Sequence, residues 1–90
     1  MNKSQLIEKI ADQTKMTKVQ CEMHLDTMIR IIEDSVAKGD DVKIVGFGTF
    51  SKVRRKSRQG RNPKTGEALT IPGLNMPKFR PGKEFKFKLN

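Results

Sequence analysis

The 90-residue sequence contains no tryptophan, no tyrosine, one cysteine and one histidine. A single cysteine excludes an internal disulfide and is typical of a reducing compartment. Because Cys21 and His24 are only two potential ligands on one helical stretch, we interpret them as a small buried thiol beside a partly exposed imidazole. No constellation of catalytic side chains stands out either. We therefore expect no enzymatic activity, no metal and no cofactor.

Long apolar runs are also missing. No segment approaches the roughly 20 apolar residues of a membrane-spanning helix, and the first residues lack the apolar stretch of a secretory signal. Only 34% of the residues are hydrophobic, which predicts a thin core for a single domain of this length. We expect a cytoplasmic protein without membrane contact that enlarges its core by pairing with a second copy.

Positive charge, by contrast, is abundant and unevenly distributed. Residues 1–45 carry seven basic and eight acidic groups, whereas residues 46–90 carry twelve basic and two acidic groups, for a formal net charge of +9. Seven of the basic side chains lie between Lys52 and Lys64, with no acid among them. A stretch of this kind predicts a polyanionic partner such as nucleic acid.

The apolar spacing in residues 1–40 predicts two helices. Asn2 with Gln5 matches a capping box before the first helix, and Thr17 with Gln20 matches another before the second, which should stop at Gly39. The apolar face of the second helix is wider than one stripe, which predicts burial on more than one side. The residues expected in a dimer core are Leu6, Leu25, Met28, Ile29, Ile32, Val36, Phe47, Phe50 and Phe79.

The second half of the chain alternates in the manner of strands. Residues 42–45 and the segment from Thr49 onwards predict two strands joined at Gly46-Phe47-Gly48. By itself, the period-two pattern of residues 84–89 favours a further strand.

The basic segment leads to a turn and then returns. Asn62-Pro63-Lys64-Thr65-Gly66 is dense in turn-forming residues, and residues 68–71 alternate again on the far side. Pairing the two sides gives a ribbon that extends about 35 Å from Lys52 to Pro63 at about 3.3 Å per residue. Because a DNA major groove is about 12 Å wide, such a ribbon is long enough to wrap around a duplex.

Three motifs resemble the HU and integration-host-factor family of DNA-bending proteins, and the resemblance covers essentially the whole chain. It implies an α+β fold in a single domain, residues 1–90. Two N-terminal helices form an intertwined dimer base (1–40), a three-stranded antiparallel sheet carries a long basic β-ribbon arm (41–82), and a short C-terminal helix follows (83–90). The motifs are Val45-Gly46-Phe47-Gly48-Thr49-Phe50, then Gly60-Arg61-Asn62-Pro63-Lys64-Thr65-Gly66-Glu67 with Ile71-Pro72, and Phe79-Arg80-Pro81-Gly82-Lys83.

The resemblance also implies a function. It indicates a histone-like, nucleoid-associated homodimer that binds duplex DNA through the minor groove with little sequence preference and bends, wraps or condenses it. Pro63 matches the wedge that enters a base step, a role suited to a rigid apolar ring that leaves no donor unpaired. The residues expected to contact DNA are Lys3, Lys52, Arg54, Arg55, Arg58, Arg61, Asn62, Pro63, Lys64, Thr65, Lys78, Arg80, Lys83 and Lys86.

Two alternatives stay open. Specificity read through DNA deformability would make the protein a site-specific bender of the integration-host-factor type. An RNA-binding protein, or weak RNA binding beside DNA binding, is the other. Base stacking on aromatic side chains is common in that class, and all five phenylalanines are expected in the core.

Overall fold

The computed structural model describes all 90 residues. It contains three α-helices and five β-strands, and contacts within the chain divide it into two units, Met1–Asp34 and Ser35–Asn90. The α+β class is as predicted, and none of the helices has the length and apolar character needed to cross a membrane. In chain order the elements are α1 (Lys3–Thr14), α2 (Lys18–Ala37), β1 (Val42–Ile44), β2 (Gly48–Arg55), β3 (Arg58–Arg61), β4 (Ala68–Ile71), β5 (Leu74–Pro81) and α3 (Lys83–Leu89).

The two predicted capping boxes are both formed. The Gln5 N–H donates to Oδ1 of Asn2 at 2.9 Å, while the Asn2 N–H donates to Oε1 of Gln5 at 3.0 Å. At the start of α2, Thr17 and Gln20 exchange the equivalent pair of bonds, each 3.1 Å long. The two boxes thus satisfy four backbone N–H groups, two at each helix start.

Helix α2 ends at the predicted glycine. Gly39 has φ of 92°, a conformation that glycine adopts without steric cost. The N–H of Gly39 donates to the carbonyl of Val36 at 3.0 Å, and the N–H of Asp40 donates to the carbonyl of Ser35 at 2.9 Å. This pair of bonds forms a complete Schellman motif, which satisfies the last carbonyls of the helix.

The unit Met1–Asp34, called the helical unit below, has a very small core of its own. Ile7 from α1 packs with Cys21 and Leu25 from α2, and these three are the buried hydrophobic residues of the chain; Ile10 and Met16 pack against them. Leu25 therefore lies in the core of the single chain, whereas the other residues expected in a dimer core are partly exposed. Along α2, Val19, Met23 and Ile31 are also exposed.

The sheet is three-stranded and antiparallel, as predicted, with β2 in the centre and β1 and β5 at its edges. Phe50 of β2 is the register partner of Val42 on one side and of Phe79 on the other. Gly48, the first residue of β2, lies very close to β5. A Cβ at this position would lie 2.5 Å from the Phe79 ring and 2.6 Å from the Arg80 carbonyl oxygen.

The ribbon extends from this sheet but is interrupted, which differs from the continuous strand expected between Lys52 and Pro63. The pairing of β2 with β5 stops at Arg55, and the pairing of β3 with β4 begins at Arg58. Residues 56–57 and the facing residues 72–73 lie outside both ladders. Pro72 has no N–H to donate across the ribbon. Equal numbers of residues are skipped on the two sides, so one register runs through the interruption.

The C-terminal segment is a helix, so the resemblance was right and the period-two pattern was misleading. Its first turn begins after Gly82, whose N–H donates to the Phe47 carbonyl at 2.8 Å. Phe85 faces inward, with its ring stacked on Phe47 at a centroid distance of 5.5 Å. Phe87 lies elsewhere on α3 and is 65% exposed, so the expectation that all five phenylalanines lie in the core is wrong for this residue.

The rings of Phe47, Phe50, Phe79 and Phe85 form an aromatic cluster in the unit Ser35–Asn90. Phe79 is the central member, since its ring lies 5.1 Å from that of Phe47 and 4.9 Å from that of Phe50. Tilted aromatic pairs at these separations stabilise a fold by about 0.5–1.5 kcal/mol each beyond the area they bury. The cluster fixes α3 to the sheet and so holds the base of the ribbon.

Candidate nucleic-acid interface

The tip of the ribbon is a hydrogen-bonded turn. Around it, the Gly66 N–H donates to the Asn62 carbonyl at 2.7 Å, and the Asn62 N–H donates to the Glu67 carbonyl at 2.9 Å. Gly66 has φ of 73°, which explains why glycine stands at the point where the chain turns back. The turn residues Pro63–Thr65 are exposed beyond this closure.

Side chains brace the same turn. Oδ1 of Asn62 accepts the Lys64 N–H at 2.9 Å, and Oγ1 of Thr65 accepts the Glu67 N–H at 3.3 Å. Nη1 of Arg61 donates to the Gly66 carbonyl at 3.2 Å. Asn62 and Arg61 thus hold the backbone on both sides of Pro63, a role that the sequence reasoning missed. The ability of Asn to bond a backbone N–H two residues later was the available signal for Asn62.

The two faces of the outer ribbon differ. In β3, Arg58 and Gly60 point to one face and Gln59 and Arg61 to the other, because successive side chains alternate. Gln59 donates to Oγ1 of Thr70 across the strands at 3.4 Å. Arg58 and Arg61, three residues apart, therefore lie on opposite faces, and both side chains are exposed.

At the sheet, register separates an aromatic face from a basic face. Phe50 and Phe79 are cross-strand partners, and the next pairs are Ser51 with Lys78 and Thr49 with Arg80. Lys78 and Arg80 therefore point away from the phenylalanine cluster. Together with Arg55 they form the basic face of the sheet.

Lys52 and Arg54 project to the opposite side of the sheet from the basic face. Nζ of Lys52 donates to the Ala37 carbonyl at 3.0 Å, at the end of α2, where a cation is favourably placed. Lys52 thus holds the end of the helix to the sheet, while Arg54 is exposed.

The remaining lysines predicted to contact DNA are all exposed. Lys64 lies in the tip turn, and Lys86 lies in the last turn of α3. Nζ of Lys83 lies 5.8 Å from the centre of the Phe87 ring, within the range of a cation–π contact. Lys56, which was not among the predicted contacts, is exposed in the interruption between β2 and β3.

Lys3 belongs to the helical unit and is already paired. Its Nζ lies 2.6 Å from Oδ1 of Asp26. The hydrogen bond to Asp26, followed by the charge of Asp26, raises the pKa of Lys3 above its ordinary 10.5, with a small further contribution from Glu22. Both salt bridges of the chain, this one and Lys18–Glu8, lie in the helical unit. The cations of the sheet and ribbon have no acidic partner of this kind.

The geometry is accompanied by strong similarity to known proteins. The family model "Bacterial DNA-binding protein" matches residues 1–90. The chain is 46% identical to DNA-binding protein HU of Clostridium pasteurianum, over all of this chain and 99% of the relative. It is 47% identical to DNA-binding protein HU-beta of Escherichia coli (strain K12), over the full length of both.

Solved structures agree with this relationship. An Anabaena HU–DNA cocrystal structure matches with a TM-score of 0.94 and 42% identity, covering 99% of this chain and 97% of that one. HU from Thermotoga maritima matches with a TM-score of 0.71 and 32% identity over both full chains. By sequence and by fold, this chain belongs to the bacterial DNA-binding protein family that includes HU.

Proposed function

We propose that the protein is a histone-like architectural protein that acts as a homodimer, binds duplex DNA with little sequence preference, and bends or condenses it. The single observation that carries the proposal is the ribbon: a line of exposed, unpaired cations that ends in a braced turn with Pro63 at its tip. The HU relatives and the Anabaena HU–DNA cocrystal structure support this assignment. We place its action at the nucleoid, in the cytoplasm.

The homodimer is supported by the apolar surface of the single chain. Only three hydrophobic residues are buried, while five of the residues expected in a dimer core are more than one-third exposed. Full burial of such a side chain contributes roughly 1.5–3 kcal/mol, so burying its exposed part in a dimer would contribute about 1 kcal/mol. Five such side chains would together stabilise the dimer by several kcal/mol. The exposed fractions are Leu6 39%, Met28 47%, Ile29 41%, Phe47 42% and Phe79 37%.

Affinity comes mainly from the basic side chains. Each arginine or lysine that neutralises a DNA phosphate releases counterions, so affinity depends on charge and on salt rather than on base sequence. The basic face of the sheet (Arg55, Lys78 and Arg80) and the arginines of the outer ribbon are the contacts proposed here. Lys83, Lys86 and Lys64 add exposed positive charge to the same unit.

Bending is assigned to Pro63. An exposed proline ring held on a braced turn can enter a base step of the minor groove without leaving a buried donor unpaired. Arg61 and Asn62 act here as positioning residues, because their bonds to Gly66 and Lys64 fix the turn that presents the ring. Their exposed atoms remain available to the groove, where the base pattern is degenerate and discrimination is weak.

A gel-shift series tests this function. Intact, nicked and four-way DNA, a duplex with a defined site, and a structured RNA are compared at 50 and 200 mM salt. With six to ten phosphate contacts, affinity for DNA should fall about 10³–10⁵-fold between these salt concentrations. Equal binding of unrelated duplexes is expected. Preference for one sequence, or for RNA over duplex DNA, would contradict the proposal.

A further inference from the structure

The interruption in the ribbon exposes a serine. Residues 56–57 lie between the two ladders, facing residues 72–73. A Cβ at Gly73 would lie 2.5 Å from the Arg55 carbonyl oxygen and 3.0 Å from the Ser57 nitrogen, so the two backbones approach closely there. Pro72 cannot donate a bond across this gap. Ser57 is thus exposed on a segment that neither ladder pairs.

The residues before Ser57 distinguish it from every other serine. Arg54, Arg55 and Lys56 immediately precede it. Ser4 has a single cation among its preceding residues, Ser35 follows two acids, and Ser51 follows Gly-Thr-Phe. Protein kinases discriminate substrates partly by complementary charge. An exposed hydroxyl that directly follows three cations suits a kinase whose substrate groove is acidic.

We propose that Ser57 is a phosphorylation site for an ATP-dependent protein kinase with an acidic substrate groove, and that its modification releases the ribbon from DNA. The Ser57 oxygen attacks the γ-phosphorus of ATP and forms the new O–P bond. The bond from that phosphorus to the β,γ-bridging oxygen breaks and ADP leaves. The hydroxyl proton passes to the general base of the kinase. The inference rests on the proposed function, because it concerns the same cationic ribbon.

The physical consequence follows from the neighbours of Ser57. A phosphoserine carries about −1.5 to −2 charges at pH 7, and Arg55 and Arg58 lie within two residues of it. Arginine binds phosphate through two parallel hydrogen bonds, so these side chains would pair with the new group instead of DNA. Losing two DNA phosphate contacts makes the salt slope of log affinity shallower by about 1.8 and weakens binding roughly 60-fold at 0.1 M salt.

The test uses the full-length dimer, a purified kinase that selects basic substrates, and ATP. Mass spectrometry of the intact protein and its peptides locates the phosphate, and fluorescence anisotropy with a labelled duplex measures affinity across salt concentrations. We expect one phosphate at Ser57, none on Ser57→Ala, and the predicted loss of affinity and slope for the phosphorylated protein. Ser57→Glu should give a smaller loss, and Ser35→Glu, the same charge change at the end of α2, should give little.

The outcomes separate the two proposals. If unmodified protein and Ser57→Ala both fail to bind duplex DNA, the proposed function is wrong. If both bind, but the phosphate forms at other residues or leaves affinity and salt slope unchanged, the Ser57 inference is overturned while the proposed function stands. Protein carrying phosphoserine introduced directly at position 57 measures the effect on binding whichever residue the kinase prefers.

Discussion

The two units of this chain use charge in opposite ways. In Met1–Asp34, lysines pair with acids, as in Lys3–Asp26 and Lys18–Glu8. In Ser35–Asn90, the cations outnumber the acids, and they line an exposed ribbon and one face of a sheet. The first unit also leaves much of its apolar surface uncovered, whereas the second has an aromatic cluster of its own. Under the proposed function, this difference corresponds to a division of roles, in which the helices would form the dimer and the ribbon would bind DNA.

The largest expected effect tests the assembly role of the helices. Ile29→Glu should abolish the dimer, because an unpaired charge placed in an apolar interface costs several kcal/mol. Sedimentation and circular dichroism measure the loss of dimer and of helix. Ile31→Glu is the matched control: Ile31 lies two residues further along the same helix, on the other side, and is 57% exposed. Equal behaviour of the two variants would show that the dimer face has been misassigned.

The next largest effect tests the packing of the sheet from which the ribbon extends. Gly48→Ala should lower the free energy of unfolding by about 1–3 kcal/mol, as overpacking usually does, because its Cβ would meet the Phe79 ring and the Arg80 backbone. Thermal unfolding of the variant and the unaltered protein measures this loss of stability. At Gly60, the added Cβ would meet only the flexible end of Ile71, at 3.0 Å. Gly60→Ala should therefore change stability by less than about 1 kcal/mol. A larger loss at Gly60 than at Gly48 would refute this account of the sheet.

A smaller effect sharpens the contrast in charge. Arg58→Gln should make the salt slope shallower by about 0.9 and weaken DNA binding roughly 8-fold at 0.1 M salt, as expected for one lost phosphate contact. Arg30→Gln removes the same charge from an exposed position on α2 and should leave the slope unchanged. Anisotropy titrations at several salt concentrations compare them. A matching change for Arg30→Gln would mean that the helices bind DNA as strongly as the ribbon.

The smallest expected effect tests whether Lys3 binds DNA when its salt bridge to Asp26 is removed. Asp26→Asn should free Lys3 and steepen the salt slope by at most about 0.9, whereas Glu8→Gln, which releases Lys18, is the control. Because its pKa in the folded protein is raised, the stabilising pairing of Lys3 is present at neutral pH and is lost only as pH rises through the alkaline range above 10.5. If Asp26→Asn leaves the slope unchanged, Lys3 does not contact DNA.

Much of the fold was predictable because its signals are local. Both capping boxes, the stop at Gly39 and the turn at Asn62–Gly66 depend on a few neighbouring residues. The seven residues of α3 were different. Their period-two pattern suggested a strand, but Phe85 stacks on Phe47, a contact between residues far apart in the sequence, and this tertiary contact outweighed the local pattern.

The arrangement of the site was less predictable, since it depends on register. The sequence identifies Lys52, Lys78 and Arg80 as basic residues, but it does not tell on which face of the sheet each one lies. The pairing of β2 with β5 places Lys78 and Arg80 on one face and Lys52 on the other. The bond from Lys52 to the Ala37 carbonyl joins residues 15 positions apart. The interruption opposite Pro72 could not be predicted without the strand register either. A proline breaks a ladder only at a position where its missing N–H would have bonded to the neighbouring strand.

The most direct test of the account is the bend produced by Pro63→Ala. Energy transfer between dyes at the two ends of a short duplex is measured at full occupancy for the unaltered protein and the variant, with Arg58→Gln as a control. We predict that Pro63→Ala gives a smaller bend with an unchanged salt slope, and that Arg58→Gln gives the full bend once saturated. An end-to-end distance for Pro63→Ala equal to that of the unaltered protein would contradict the wedge at the tip of the ribbon.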